Sequence, residues 1–225
     1  MCGIVGAAAR RDIVPLLIDG LRRLEYRGYD SAGIAVVNRA ALKRLRAPGR
    51  VSELAAQSAA EHLSGQTGIA HTRWATHGAP TERNAHPHIS GDLAIVHNGI
   101  VENHEALRER VKRAGYAFAS ETDTEVVAHL VAEHRKREPS LFAATVRAIG
   151  ELEGAFALAI VSARDADAVV VARRGPPLLL GVGEGENFAA SDVSALLPVT
   201  RRVVYLEDGD CAEIRASGYR VVDAR

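Results

Sequence analysis

Apolar and polar residues alternate along this chain with two periods, and the change from one to the other marks most of the elements. Residues 2–9 are small or β-branched without a break, which predicts a buried strand. Asp12 then precedes residues 13–26, where Leu16, Leu17, Leu21 and Leu24 recur at helical spacing with Arg22, Arg23 and Glu25 on the opposite side. After the turn-like residues 27–31, residues 33–37 predict a strand and residues 42–45 its hairpin partner. Residues 51–63 predict a second helix, opened by Ser52 and closed near Gly65, and residues 67–71 a short strand. Periodicity then fails from Arg73 to Ser90, the longest stretch without it; a loop of that length inside a compact domain is usually functional or disordered, and the composition here does not suggest disorder.

Beyond the loop, residues 92–97 read as a strand ending in Asn98 and Gly99, followed by a helix over 104–113. Thr122 and Glu125 have capping-box spacing and open a helix that runs to 137, and another helix covers 141–152. From residue 155 the runs 156–161, 168–172, 178–182, 203–206 and 211–214 predict successive antiparallel strands. Two blocks of strands, each flanked by helices and linked by hairpins, imply two sheets packed face to face with helices outside. The expected class is α+β, a four-layer αββα sandwich formed as one domain over residues 1–225. No repeat or low-complexity tract interrupts it.

Charge narrows the partners. Lysine plus arginine number 28 and aspartate plus glutamate 28, so a nucleic-acid or anionic-membrane surface is not expected as the main partner. The two cysteines, Cys2 and Cys211, lie at opposite ends, which excludes a disulfide framework and suits a reducing cytoplasm. The start lacks a secretory pattern, and no apolar run approaches the ~20 residues of a membrane span, so neither secretion nor spanning is expected.

Candidate chemistry begins at Cys2. Removal of Met1 would put a thiol (pKa ~8.5) and a free α-amine (pKa ~7.7 to 8.0) on one residue, a nucleophile with its own base. A lone Cys2 could equally be a small buried hydrophobe. Within residues 71–78, Arg73 offers a planar fork for a carboxylate and Trp74 a rigid wall, although a surface ion pair and a core tryptophan would look the same. Asn98 and Gly99 are either a tight turn or an oxyanion hole, and Asp123 either complements a helix dipole or meets a substrate ammonium. Among nine histidines, His86, His88, His97 and His104 lack metal-ligand spacing, so no metal is expected. Gly181, Gly183 and Gly185 read as turns rather than a nucleotide loop, and Cys211 as core.

With these residues assembled, the chain resembles the glutaminase domains of glucosamine-6-phosphate synthases (glutamine:fructose-6-phosphate amidotransferases), class II glutamine amidotransferases with the N-terminal nucleophile hydrolase fold. The likeness runs through residues 2–6, 26–33, 71–78, 84–88, 97–99, 120–126 and 185–192. It implies that Cys2 is the nucleophile and its freed amine the base, with Asn98 and Gly99 as oxyanion hole. It implies further that Arg73 holds the α-carboxylate of L-glutamine and Asp123 its α-ammonium, with Thr76 and His77 lining the pocket. Trp74 would belong to a closing loop, Arg27 would sit near the nucleophile, and His86 would support the site. No cofactor is implied. Arg174 and Pro176 depart from the pattern, which is expected to touch only the local surface. The chain stops where such enzymes continue into a sugar isomerase domain that passes the ammonia to fructose 6-phosphate. A catalytically silent glutamine-binding or docking module is the alternative, and the fate of Met1 discriminates between them.

Overall fold

The structure is a computed structural model that describes residues 2–74 and 81–224. Its first half runs β1 (Gly3–Ala9), α1 (Val14–Leu24), β2 (Ser31–Asn38), β3 (Ala41–Pro48), α2 (Val51–Ala60), β4 (Thr67–Arg73), β5 (His88–Ser90) and β6 (Leu93–Val101). Three helices follow, α3 (His104–Arg113), α4 (Asp123–Arg135) and α5 (Leu141–Ile149). The chain then forms β7 (Gly154–Ser162), β8 (Ala168–Arg174), β9 (Leu179–Val182), β10 (Glu186–Ala190), β11 (Val203–Tyr205), β12 (Asp210–Arg215) and β13 (Gly218–Asp223).

One sheet has the order β11-β9-β10-β1-β4-β2-β3 and the other β13-β12-β8-β7-β6-β5. Neighbouring strands are antiparallel throughout the described residues. The period-two alternation of the strands sorts the core into three layers. Val5, Ile34 and Val36 point from the first sheet toward Leu17, Leu21 and Leu54 of α1 and α2. Their neighbours Ile4, Ala35 and Val37 point the other way and meet Ala157, Ala159 and Val171 of the second sheet. Leu158, Ile160 and Val170 face Val127, Leu130 and Phe142 of α4 and α5. The four-layer αββα expectation is borne out, and strands buried on both faces explain why they read as continuous apolar runs. Cys211 lies in the last of these layers, as expected, and burial pushes its thiol pKa up to about 12. Among the described residues no helix is long and apolar enough to cross a membrane.

Several boundaries differ from the sequence reading, each for a tertiary reason. Ser52 does not open α2; the first helical amide, Val51 N–H, donates to the Glu25 carboxylate at 2.9 Å, so the cap comes from another element. That helix stops at Ala60, and His62 turns the chain with φ +48° before Leu63 is buried. Thr122 does cap α4, accepting from Glu125 N–H at 3.3 Å, but the box is open on its other side. Glu125 instead accepts from the Ala119 and Ser120 amides at 2.7 and 2.6 Å and holds the preceding segment. The runs after residue 155 are not one sheet: β9, β10 and β11 cross to the other, where β10 pairs with β1. Strands β10 and β13 lack a clean apolar alternation and escape the pattern. The non-periodic stretch from Arg73 to Ser90 begins and ends in strands. Arg44 clips its later part to β3 through Pro87 O at 3.3 Å, and Arg46 through Arg83 O and Ala85 O at 3.2 Å.

Candidate active site

The ends of β1, β4 and β6 and the first turn of α4 meet at one end of the sandwich around a cavity of about 370 Å³. Cys2, Arg73, Asn98, Gly99 and Asp123 all line it, and so do Arg27, Trp74 and His86. Residues from positions 2, 27, 73, 98 and 123 are thus brought together by sheet order, because β1 lies beside β4 while β6 ends above them in the facing sheet. Thr76 and His77 lie outside the described residues.

Cys2 directly precedes β1, and its sulfur is held by Trp74. The Trp74 N–H donates to Sγ at 3.2 Å and the thiol donates back to the Trp74 carbonyl at 3.4 Å. Burial raises the thiol pKa, opposed by the Trp74 N–H and the Arg73 charge, so the protonated thiol dominates at neutral pH. Such a thiol becomes a nucleophile only when a base takes its proton.

Asn98 and Gly99 do not form a turn. They lie inside β6, opposite Ala157 and Phe156 of β7. The Asn98 Nδ2 donates to the Cys2 carbonyl at 3.1 Å, and its Oδ1 is 3.0 Å from His71 Nε2. Gly99 has φ +124°, and a Cβ there would lie 2.1 Å from Ala155 O, so only glycine fits this strand position. The same dipeptide that favours a tight turn here stays within a paired strand and lines the cavity.

Two opposite charges are built into the walls. Arg73, 3% exposed, sits with Nη1 3.8 Å from the Asp30 carboxylate, whose Oδ1 accepts from Ser31 Oγ at 2.7 Å. Asp123 accepts the Val101 amide on Oδ2 at 2.9 Å. A fixed guanidinium and a fixed carboxylate in one cavity suit a zwitterion such as an amino acid. Arg27 donates to Ser191 Oγ at 3.5 Å and pairs with Asp192 at 3.8 Å. Trp74 is 53% exposed and its ring lies over Gly28, where φ is +90° and a Cβ would come within 2.4 Å of the indole.

Behind this front lies a set of buried histidines. His86 Nε2 and His97 Nδ1 share the Thr124 hydroxyl at 2.8 and 3.0 Å, and His88 Nε2 meets Thr122 Oγ1 at 3.0 Å. The rings of His71 and His86 are 4.2 Å apart. His104 stands apart, bonding Val101 O at 2.8 Å in the first turn of α3. Burial pushes the His71 pKa down to about 3 and those of His86 and His88 well below the ordinary value, with neighbouring positive groups adding to the effect. In the unfolded chain these rings take up protons near pH ~6.5, whereas the folded chain resists doing so. Stability is therefore full above that pH and falls as pH drops below it, by up to ~4 kcal/mol per pH unit for three such rings. Urea unfolding between pH 7.5 and 5 is expected to show this loss, and His88→Gln to reduce its slope by about one proton; a flat profile would refute it.

Sequence reasoning missed Thr124 and Ser191, both of which line the cavity. Thr124 carried a weak signal as a polar residue on a buried helix face, and Ser191 lay within the 185–192 likeness. Pro176 also lines the cavity, which corrects the expectation that its departure concerns only the local surface. Arg174 instead donates to Leu152 O at 2.8 Å and stacks 5.0 Å over Phe156.

A family model described as a glutamine amidotransferase domain matches residues 71–198. The chain is 58% identical over 225 residues to the glutamine–fructose-6-phosphate aminotransferase (isomerizing) of Escherichia coli K12, covering 99% of this chain and 37% of that protein. With the protein of the same description from Shewanella oneidensis it shares 56% over 224 residues, 99% and 37% of the two lengths. The chain thus spans about 37% of the relatives it matches. Among solved structures, the glutamine phosphoribosylpyrophosphate amidotransferase of B. subtilis superposes with TM-score 0.83 at 26% identity, over 100% of this chain and 49% of that one. A class-II glutamine aminotransferase domain protein from Silicibacter pomeroyi superposes with TM-score 0.67 at 18% identity over the whole of both chains, a likeness of fold.

Proposed function

The chain belongs to the glutamine amidotransferase family, and from that premise we propose that it hydrolyses L-glutamine to glutamate and ammonia with Cys2 as nucleophile. The observation that carries this reading is the convergence of Cys2, Asn98 and Gly99 with Arg73 and Asp123 in one cavity. Arg73 takes the α-carboxylate and Asp123 the α-ammonium, which leaves the side-chain carboxamide extended toward Sγ.

With Met1 removed, the Cys2 amine accepts the thiol proton and the thiolate attacks the carboxamide carbon, forming the C–S bond. The carbonyl oxygen becomes an oxyanion held by the Asn98 amide and the Gly99 N–H. The protonated amine returns its proton to the leaving nitrogen, the C–N bond breaks, and ammonia departs from a thioester. A water, deprotonated by the same amine, attacks the thioester; the C–S bond breaks, and glutamate and the thiol are restored. Trp74, Arg27 and His86 frame the substrate pocket. No metal or cofactor takes part. In the whole protein the ammonia passes to fructose 6-phosphate on a sugar isomerase domain of the same polypeptide, in a reducing cytoplasm that keeps both thiols free.

The test is mass analysis of the N-terminus together with an ammonia-release assay on the purified chain. The expected result is Cys2 as first residue and glutamine-dependent ammonia. A chain that starts at Cys2, binds glutamine and releases no ammonia would overturn hydrolysis in favour of a binding module.

A further inference from the structure

We propose that His71 is a positioning residue that dictates which end of the Asn98 amide faces Cys2, an inference that rests on Asn98 as an oxyanion donor. His71 stands on β4 opposite Ile4 of β1, and it is 1% exposed. Its Nε2 lies 3.2 Å from the His97 carbonyl oxygen and 3.0 Å from Asn98 Oδ1. A backbone carbonyl can only accept, so Nε2 must carry the ring hydrogen. A nitrogen that carries hydrogen cannot accept, so the Asn98 atom facing it must be the oxygen. Nδ2 is then the end that turns to Cys2, where it meets another pure acceptor, the Cys2 carbonyl at 3.1 Å. His97 O thereby determines the His71 tautomer, and the tautomer determines the amide.

The arrangement has a visible cost. Among the described residues, His71 Nδ1 is buried without a hydrogen-bond partner. A ring kept only to fill space could be apolar and would leave no such orphan. Burial holds the ring neutral down to a pKa of about 3, so its single hydrogen stays on Nε2 across the working pH range. The sign of the dipole beside Sγ depends on this. A flipped Asn98 would present its oxygen to the developing oxyanion and turn stabilisation into repulsion.

Two amide substitutions separate positioning from packing. Glutamine can place a side-chain N–H near the site of Nε2, whereas asparagine reaches only the site of Nδ1. His71→Asn is expected to lower kcat by about 10- to 100-fold, within the range for loss of one oxyanion donor, with KM changed less than about twofold. His71→Gln is expected to recover kcat to within about fivefold of wild type at a similar Tm. Nitrogen-15 NMR of the His71 ring should show a neutral Nε2–H tautomer from pH 7 to pH 5. Equal kcat losses in both variants, unchanged kcat in His71→Asn, or an Nδ1–H tautomer would each overturn the proposal. A wild-type chain that begins at Cys2 yet releases no ammonia would instead overturn the functional reading, and the ring tautomer would still decide the orientation of Asn98.

Discussion

Cys2→Ala is expected to abolish ammonia release, by roughly 10⁴-fold or more as for loss of a catalytic nucleophile, while glutamine still binds within about threefold of wild type. The separation follows from where the interactions are anchored. Arg73 is set by Asp30 and Asp123 by the Val101 amide, and neither contact involves the Cys2 side chain. The Cys2 carbonyl that receives Asn98 Nδ2 is backbone and survives the substitution. What disappears is the sulfur and its exchange with the Trp74 amide and carbonyl, so Trp74 should become more mobile without loss of the fold. Steady-state ammonia release and calorimetric binding of glutamine read the two effects separately. Turnover retained above a thousandth of wild type would remove Cys2 from its role.

The second large effect concerns the residue before it. A chain carrying an N-terminal tag that ends directly before Cys2 should be inactive by about 10²- to 10⁴-fold, the range for loss of a general base, and cleavage that leaves Cys2 first should restore it. An amide nitrogen has no basicity, whereas a free α-amine titrates near pH ~7.7 to 8.0. Because burial raises the thiol pKa, the sulfur does not ionise unaided at neutral pH, which makes the dependence on the amine steep. Rates of ammonia release before and after cleavage decide it. Equal rates would mean that another group is the base.

Much of the fold was legible because local physics and tertiary packing agree. Residues 104–113 form a helix with the predicted bounds, and Thr122 caps α4, since short-range spacing alone sets these features. Strands β1, β2, β7 and β8, at the centres of the two sheets, were legible because burial on both faces makes them apolar almost throughout. Where the two levels separate, the pattern fails. Ser52 has a good cap side chain, yet Glu25 from another element occupies the first amide of α2. Asn98 and Gly99 carry a turn signal, yet β7 continues to pair with them through Val101 opposite Gly154.

The sequence by itself determined the inventory: a cysteine poised to become terminal, a guanidinium, a carboxylate, an Asn-Gly pair, and two sets of strands that must bury both faces. Residue type and spacing are local properties, and one chain carries them in full. Only the tertiary structure decided which of these groups share a cavity, that Gly99 serves a strand rather than a turn, and that His71 orients Asn98. Those outcomes depend on strand order and on hydrogen bonds between residues far apart in the chain, and such bonds have no periodicity to leave in a sequence.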